Sequence, residues 1–332
     1  MSDTNYDTDK YVEVMQLTKR YGETLAVDNL SFSVAKGEIF GFLGPNGAGK
    51  STTLNILSTL LDYNNGHVKV AGYDLAHEAK QIKEMIGLVP QDIAIYDILT
   101  AYENVAFFAS LYGLRGKELK EKTLAALEFV GLKEQQKMRA AKMSGGMKRR
   151  LNIACGIAHE PKLIVMDEPT VGVDAQSREL IMNSIRTLKE RGATIIYTSH
   201  YMPEVQEICD RIAIIDKGRL AAIGTKEELL AIVTDVKTVT IAISQSSAQN
   251  QEQTLSDRIT HATNKLKDMP DVKNVIFNPE NHTLDIDVDI RHSDITLILS
   301  VLMAENLSIL DVQSESANLE TTFLALTGRE LR

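Results

Sequence analysis

The chain has 332 residues, 44% of them apolar and 24% charged, the balance of an ordinary globular protein. A net charge of -9 removes the basic field that draws a protein to nucleic acid or anionic lipid. No apolar run reaches the roughly 18 residues of a membrane helix, and Met1 to Lys10 lacks the apolar centre of a signal peptide.

After a flexible start at residues 1–10, Val12, Val14 and Leu17 alternate as a strand, and Leu30, Phe32 and Val34 repeat the pattern. Residues 38–43 form a short apolar strand that runs into a glycine-rich loop. Thr100 with Glu103, and Thr225 with Glu228, are capping boxes that open helices. Residues 100–132 read as two helices broken near Gly113 and Gly116, and the next helix starts near Ser144. Helices therefore gather at about 98–160, as an all-α insertion would. Strands follow at 163–166, 194–198 and 212–215; Asp174 caps the helix between the first two, and Gly192 ends it. Asp216-Lys217-Gly218 turns a hairpin into a strand at 220–223.

A second unit is expected at 233–332. A strand at 237–244 precedes a polar surface loop. Helix, strand, strand, helix and strand then run to 312, giving the β-α-β-β-α-β order of ferredoxin-like folds, with a last helix at 319–326. No catalytic pattern stands in this tail, so it reads as a regulatory or dimerising module. Cys155 and Cys209 lie far apart without metal-ligand spacing, which fits buried thiols in a reducing compartment better than a disulfide.

Chemistry enters at Gly44-Pro45-Asn46-Gly47-Ala48-Gly49-Lys50-Ser51, an eight-residue phosphate loop between a strand and a helix. Glycines let backbone amides encircle phosphate oxygens, and the helix opening at Lys50 aims its positive end at the same anion. Lys50 adds a full charge for the outer phosphates, and the Ser51 hydroxyl suits Mg²⁺. The apolar strand at 163–166 ends in Asp167-Glu168, and ligands of open parallel sheets bind at the carboxyl ends of strands. Asp167 can support Mg²⁺; Glu168 can polarise the water that attacks the γ-phosphate.

Ser144-Gly145-Gly146-Met147 resembles the signature motif of the ATP-binding-cassette (ABC) ATPases. The resemblance covers about residues 11–232, with the motifs in the family's order, and implies an α/β P-loop NTPase domain with a helical subdomain. It implies that Tyr21 stacks on adenine and that the loop from Gly44 to Ser51, with Thr52, holds ATP. By the same likeness Gln91 is the Q-loop glutamine, with Ser51, Gln91 and Asp167 serving Mg²⁺. Residues 171–174 with Asp174 match the D-loop, Glu168 is the catalytic carboxylate and His200 the switch histidine. Ser144, as an N-cap, leaves Gly145 and Gly146 to present helix amides to an anion. In the family this start closes on the γ-phosphate of a second copy, so that two chains sandwich two ATP molecules head to tail.

Met147 stands where many members have glutamine and lacks that amide's hydrogen bonds; Val173 stands where leucine is common. Lys148-Arg149-Arg150 reads as a solvated basic face rather than a phosphate clamp. His67, His77, His159, His261, His282 and His292 read as surface or structural residues. The segment 319–328, ending in Leu326-Thr327-Gly328, resembles the close of bacterial ATPases that drive drug, lipid or polysaccharide export through separate membrane proteins. The resemblance thus implies an ATP-hydrolysing exporter subunit, peripheral on the inner membrane face, with transmembrane permease subunits and a second copy as partners. The alternative is a soluble ABC ATPase acting on a partner such as the ribosome. One cassette, no sustained heptads and an acidic balance favour the first, with no nucleic-acid partner expected.

Overall fold

A computed structural model describes residues 10–199, 201–233, 236–244, 254–279, 281–289, 295–315 and 319–328. The chain divides into two compact units between Lys226 and Glu227, the second running to Ala325.

The first unit opens with β1 (Lys10–Tyr21) and β2 (Thr24–Ala35), an antiparallel pair, then β3 (Ile39–Leu43) and α1 (Lys50–Leu57). Next come β4 (Asn65–Val70), β5 (Tyr73–Asp74), α2 (Ala79–Met85) and β6 (Ile86–Val89). Three helices follow, α3 (Ala101–Leu111), α4 (Gly116–Phe129) and α5 (Gly145–Ile157), with a 3₁₀ turn at Ala140–Lys142. The remainder is β7 (Leu163–Asp167), α6 (Ala175–Glu190), β8 (Thr194–Thr198), α7 (Met202–Ile208), β9 (Arg211–Asp216) and β10 (Arg219–Gly224); α8 (Lys226–Val233) starts on the boundary residue and otherwise belongs to the second unit.

Among the described residues these strands form two sheets, ordered β2-β1-β4-β5 and β10-β9-β3-β8-β7-β6. In the second, β9, β3, β8, β7 and β6 are parallel neighbours and only β10 is antiparallel. Parallel strands are covered on both faces, which is why β3, an apolar run, and β8, an apolar centre between two threonines, are buried throughout. The first sheet alternates instead: Val12, Val14, Phe32 and Val34 turn inward. They share one core with Leu54 and Ile56 of α1 and with Phe40, Val165 and Ile196 of the second sheet. Each such side chain, fully buried, is worth about 1.5–3 kcal/mol.

The helix boundaries follow local chemistry. Thr100 and Glu103 make the capping box: the hydroxyl accepts from the Glu103 amide at 3.2 Å and the carboxylate from the Thr100 amide at 2.8 Å. The gap between α3 and α4 contains Gly113, and Gly116 opens α4. The buried Asn104 amide pins the preceding loop, accepting from Tyr96 N at 2.8 Å and donating to the carbonyls of Tyr96 and Thr100 at 3.0 Å.

His159, just past α5, ties the helices to β6. Its ring stacks on Tyr112 with centroids 3.5 Å apart, and Nε2 donates to the Ile86 carbonyl at 3.1 Å. Nδ1 is buried with no acceptor, so protonation would place a donor where nothing receives it. Burial accordingly lowers its pKa from 6.5 to about 4. A lowered folded pKa means stability is complete above pH 6.5 and is lost as pH falls toward 4. Between pH 7 and pH 5 the first unit should lose about 2 kcal/mol through this group. Urea melts of wild type and His159→Gln should therefore differ in pH slope over that interval; equal slopes would contradict the assignment.

The second unit has β11 (Val236–Ile243), α9 (Leu255–Lys267), β12 (Val272–Asn278), β13 (Thr283–Asp289), α10 (Ile295–Ala304) and β14 (Ile309–Glu315), followed by α11 (Leu319–Thr327). Its sheet is antiparallel in the order β12-β13-β11-β14, the ferredoxin-like arrangement expected from the element order. Val239, Ile241, Leu284 and Ile286 face Ile259, Leu266, Ile298 and Leu302 of α9 and α10 in a separate core. A capping box that the sequence reading passes over opens α9, with Asp257 replacing the usual glutamate opposite Thr254.

Candidate active site

Parallel strands bring their carboxyl ends to one edge, and there the separated motifs meet. The loop after β3 carries Lys50, β8 ends in Thr198, β7 runs into Asp167-Glu168, and Gln91 follows β6. Gly49, the residue before α1, has φ +100°, a conformation that a side chain would strain. A Cβ there would also stand 2.6 Å from the Ala26 carbonyl. Lys50 is buried, and its ammonium donates to the carbonyls of Gly44 at 2.5 Å and Pro45 at 3.2 Å. Burial lowers its pKa, while the nearby Glu168 and Asp167 carboxylates work in the opposite direction. Ala48 N closes the loop on Pro45 O at 3.1 Å. Asn46, Gly47 and Ser51 are exposed at the mouth, and Thr52 is partly buried behind them.

Glu168 is 4% exposed and has φ +50°, a left-handed conformation that costs a non-glycine residue about 1–2 kcal/mol. Its surroundings hold it there. Its amide donates to Thr198 Oγ1 at 2.9 Å, and the same hydroxyl donates to Asp167 Oδ1 at 2.6 Å. Its carboxylate accepts from Gln91 Nε2 at 2.9 Å. Thr198 is thus the common support of both acids, a role that a strand-ending threonine does not announce in sequence. The cluster can cradle a polyanion beside Lys50 and present a fixed carboxylate to a water.

Ser144 caps α5, its hydroxyl accepting from Met147 N at 3.3 Å, and both Ser144 and Gly145 are exposed. Gly146 is buried where α5 meets the start of α6: a Cβ would fall on Ser177 Oγ and lie 3.0 Å from Asp174 Oδ2. Asp174 is committed to capping α6, accepting from Ser177 N at 2.8 Å and Ser177 Oγ at 2.9 Å. These bonds hold its carboxyl below the ordinary range. The signature and D-loop residues therefore form one body.

The basic run is not the solvated face expected of it. Arg149 is 5% exposed and donates to the carbonyls of Pro90 at 3.2 Å and Gln91 at 2.7 Å. Lys148 pairs with Asp97 at 2.7 Å, and Arg150 donates to Val130 O at 2.9 Å. All three cations are structural ties, because backbone carbonyls and Asp97 from segments distant in sequence line that helix. Arg149 fixes the loop that holds Gln91 against Glu168, a further support that local spacing does not reveal. Tyr21 ends β1, 48% exposed, with the Lys19 ammonium 5.2 Å from its ring centroid. His200 lies outside the described residues.

A family model described as "ABC transporter" matches residues 27–171. The linearmycin resistance ATP-binding protein LnrL of Bacillus subtilis (strain 168) is 42% identical over 323 residues, 97% of this chain and 99% of that protein. The chain belongs to the ABC transporter family of ATP-binding proteins. As an ABC ATPase it binds and hydrolyses ATP. The Nod factor export ATP-binding protein I of Sinorhizobium fredii (strain NBRC 101917 / NGR234) is 38% identical to this ABC ATPase over 223 residues, 67% of this chain and 65% of that protein. Among solved structures, the dimeric post-hydrolysis state of the ATP-binding cassette MJ0796, bound to ADP and Pi, superposes with a TM-score of 0.60. It is 28% identical and covers 64% of this chain and 98% of that one. Among the described residues no helix is long and apolar enough to cross a membrane.

Proposed function

We propose that this chain is the ATP-hydrolysing subunit of an exporter, working from the inner membrane face on separate transmembrane subunits, and that two copies enclose two ATP molecules head to tail. The observation that carries the reading is the exposed start of α5, where Ser144 and Gly145 offer helix amides to an anion. It lies on a helix separate from the phosphate loop, so each copy has a nucleotide cradle and a second anion-binding start for a partner's nucleotide. Likeness to LnrL over nearly the whole length, and to a Nod factor export protein, supports export.

In this reading Lys50 and the amides from Asn46 to Thr52 bind the phosphates in the loop that opens at Gly44-Pro45, and Tyr21 carries the adenine. Ser51, Asp167 and the Gln91 amide oxygen are hard oxygen donors suited to Mg²⁺, which when bound neutralises phosphate charge. Glu168 takes the proton of the attacking water, and His200 attends the γ-phosphate. Residues 11–232 are the cassette, with residues 98–160 as its helical part, and residues 233–332 tune dimerisation. Purification of the tagged chain in gentle detergent tests the partner: an integral membrane protein should accompany it. Recovery with ribosomes, and with no membrane protein, would overturn the reading.

A further inference from the structure

Glu204, in the first turn of α7, is 3% exposed and touches none of the phosphate-loop residues described above. Its Oε2 accepts from three hydroxyls, those of Thr170 at 2.7 Å, Tyr197 at 2.7 Å and Ser199 at 2.9 Å. Its Oε1 lies 3.1 Å from Nε of Arg178, an ion pair whose alignment falls short of a hydrogen bond. A buried carboxylate is costly unless paired and hydrogen-bonded; here every partner is a donor, the set an ionised, acceptor-only group requires.

The positions of the partners matter more than their number. Thr170 is two residues past Glu168, in the segment that leaves the strained φ +50° backbone. Ser199 follows Thr198, the common support of both acids, and precedes position 200. Beyond that position, Tyr201 N donates to the same Ser199 hydroxyl at 3.0 Å. The Arg178 guanidinium, at the start of α6, stands 5.0 Å from the centroid of the Tyr201 ring. One carboxylate therefore joins the segment after the general base, both flanks of position 200, and the helix capped by Asp174.

We propose that Glu204 is a positioning residue for ATP hydrolysis, holding the Glu168 segment and the flanks of residue 200 in one register. It touches no substrate and acts through the hydroxyls it gathers. The proposal rests on the roles given to Glu168 and His200. Misplacement of a reacting group by about 1 Å costs about a hundredfold in rate, so small slips of either segment reach kcat before they reach binding.

The test uses the full chain with Glu204→Gln, Thr170→Val and Ser199→Ala. Glutamine keeps the volume but has a single acceptor oxygen: its NH₂ turns either toward Arg178, donor against donor, or toward the three hydroxyls, which must then reorient to accept. The two smaller changes each cut one tie and keep the charge, so they speak even where Glu204→Gln does not fold. Each variant that folds should lose about tenfold to a hundredfold in kcat, with ATP affinity kept within about threefold. Thr170→Val and Ser199→Ala combined should lose less than the product of their separate losses, because both act through one carboxylate. Variants that melt earlier yet keep full kcat would reduce Glu204 to a structural contact, as would parallel losses of kcat and affinity. Glu168→Gln in the same assay separates the two ideas. A fully active Glu168→Gln overturns the general base; an inactive one beside fully active Thr170→Val and Ser199→Ala overturns the positioning role alone.

Discussion

Glu168→Gln is expected to lower ATP turnover by about 10²–10⁴, the share a general base contributes, while nucleotide still binds. The substitution is nearly isosteric, and an amide oxygen can still accept from Gln91 Nε2, now 2.9 Å from the carboxylate. The backbone tie to Thr198 at 2.9 Å involves only the Glu168 amide and is untouched. What disappears is the proton acceptor. Steady-state kcat beside ATP affinity by calorimetry reads this directly: a large fall in the first with the second preserved. Turnover within twofold or so of wild type would remove Glu168 from the chemistry.

Lys50→Ala should act on the other quantity. The ammonium donates to the Gly44 and Pro45 carbonyls at 2.5 and 3.2 Å, so it holds the loop in shape as well as offering charge to phosphate. It also offsets the Asp167 and Glu168 carboxylates, whose field would repel the anion once the lysine is gone. A charge-assisted hydrogen bond is worth about 1.5–3 kcal/mol, and with the repulsion added the dissociation constant should rise by about a hundredfold or more. Calorimetric titration with ATP checks this; unchanged affinity would dismiss the phosphate-loop assignment.

The phosphate loop, the acidic end of β7 and the α5 cap were legible because each is a contiguous string of residues, and in the loop and the cap the bonding partners are also only a few residues away. The same holds for the Thr100–Glu103 box and the ferredoxin-like order of the second unit. What stayed hidden depends on distant pairing. Thr198 supports Glu168 across 30 residues, Arg149 reaches Gln91 across 58, and Thr170 reaches Glu204 across 34. No local period reports such bonds. The basic run misled for this reason: three adjacent cations look solvated until the carbonyls and the Asp97 carboxylate that receive them are folded into place. At seven residues, α2 and α7 are also too short for an amphipathic period to declare itself.

The central claim, that ATP trapped between two copies supplies the force, is tested most directly by light scattering on Glu168→Gln with and without ATP. Blocked hydrolysis should keep the nucleotide in place, and the mass should double from one chain to two when ATP and Mg²⁺ are added, then return to one as they are removed. A single-chain mass under saturating nucleotide, in a variant shown by calorimetry to bind it, would contradict the account.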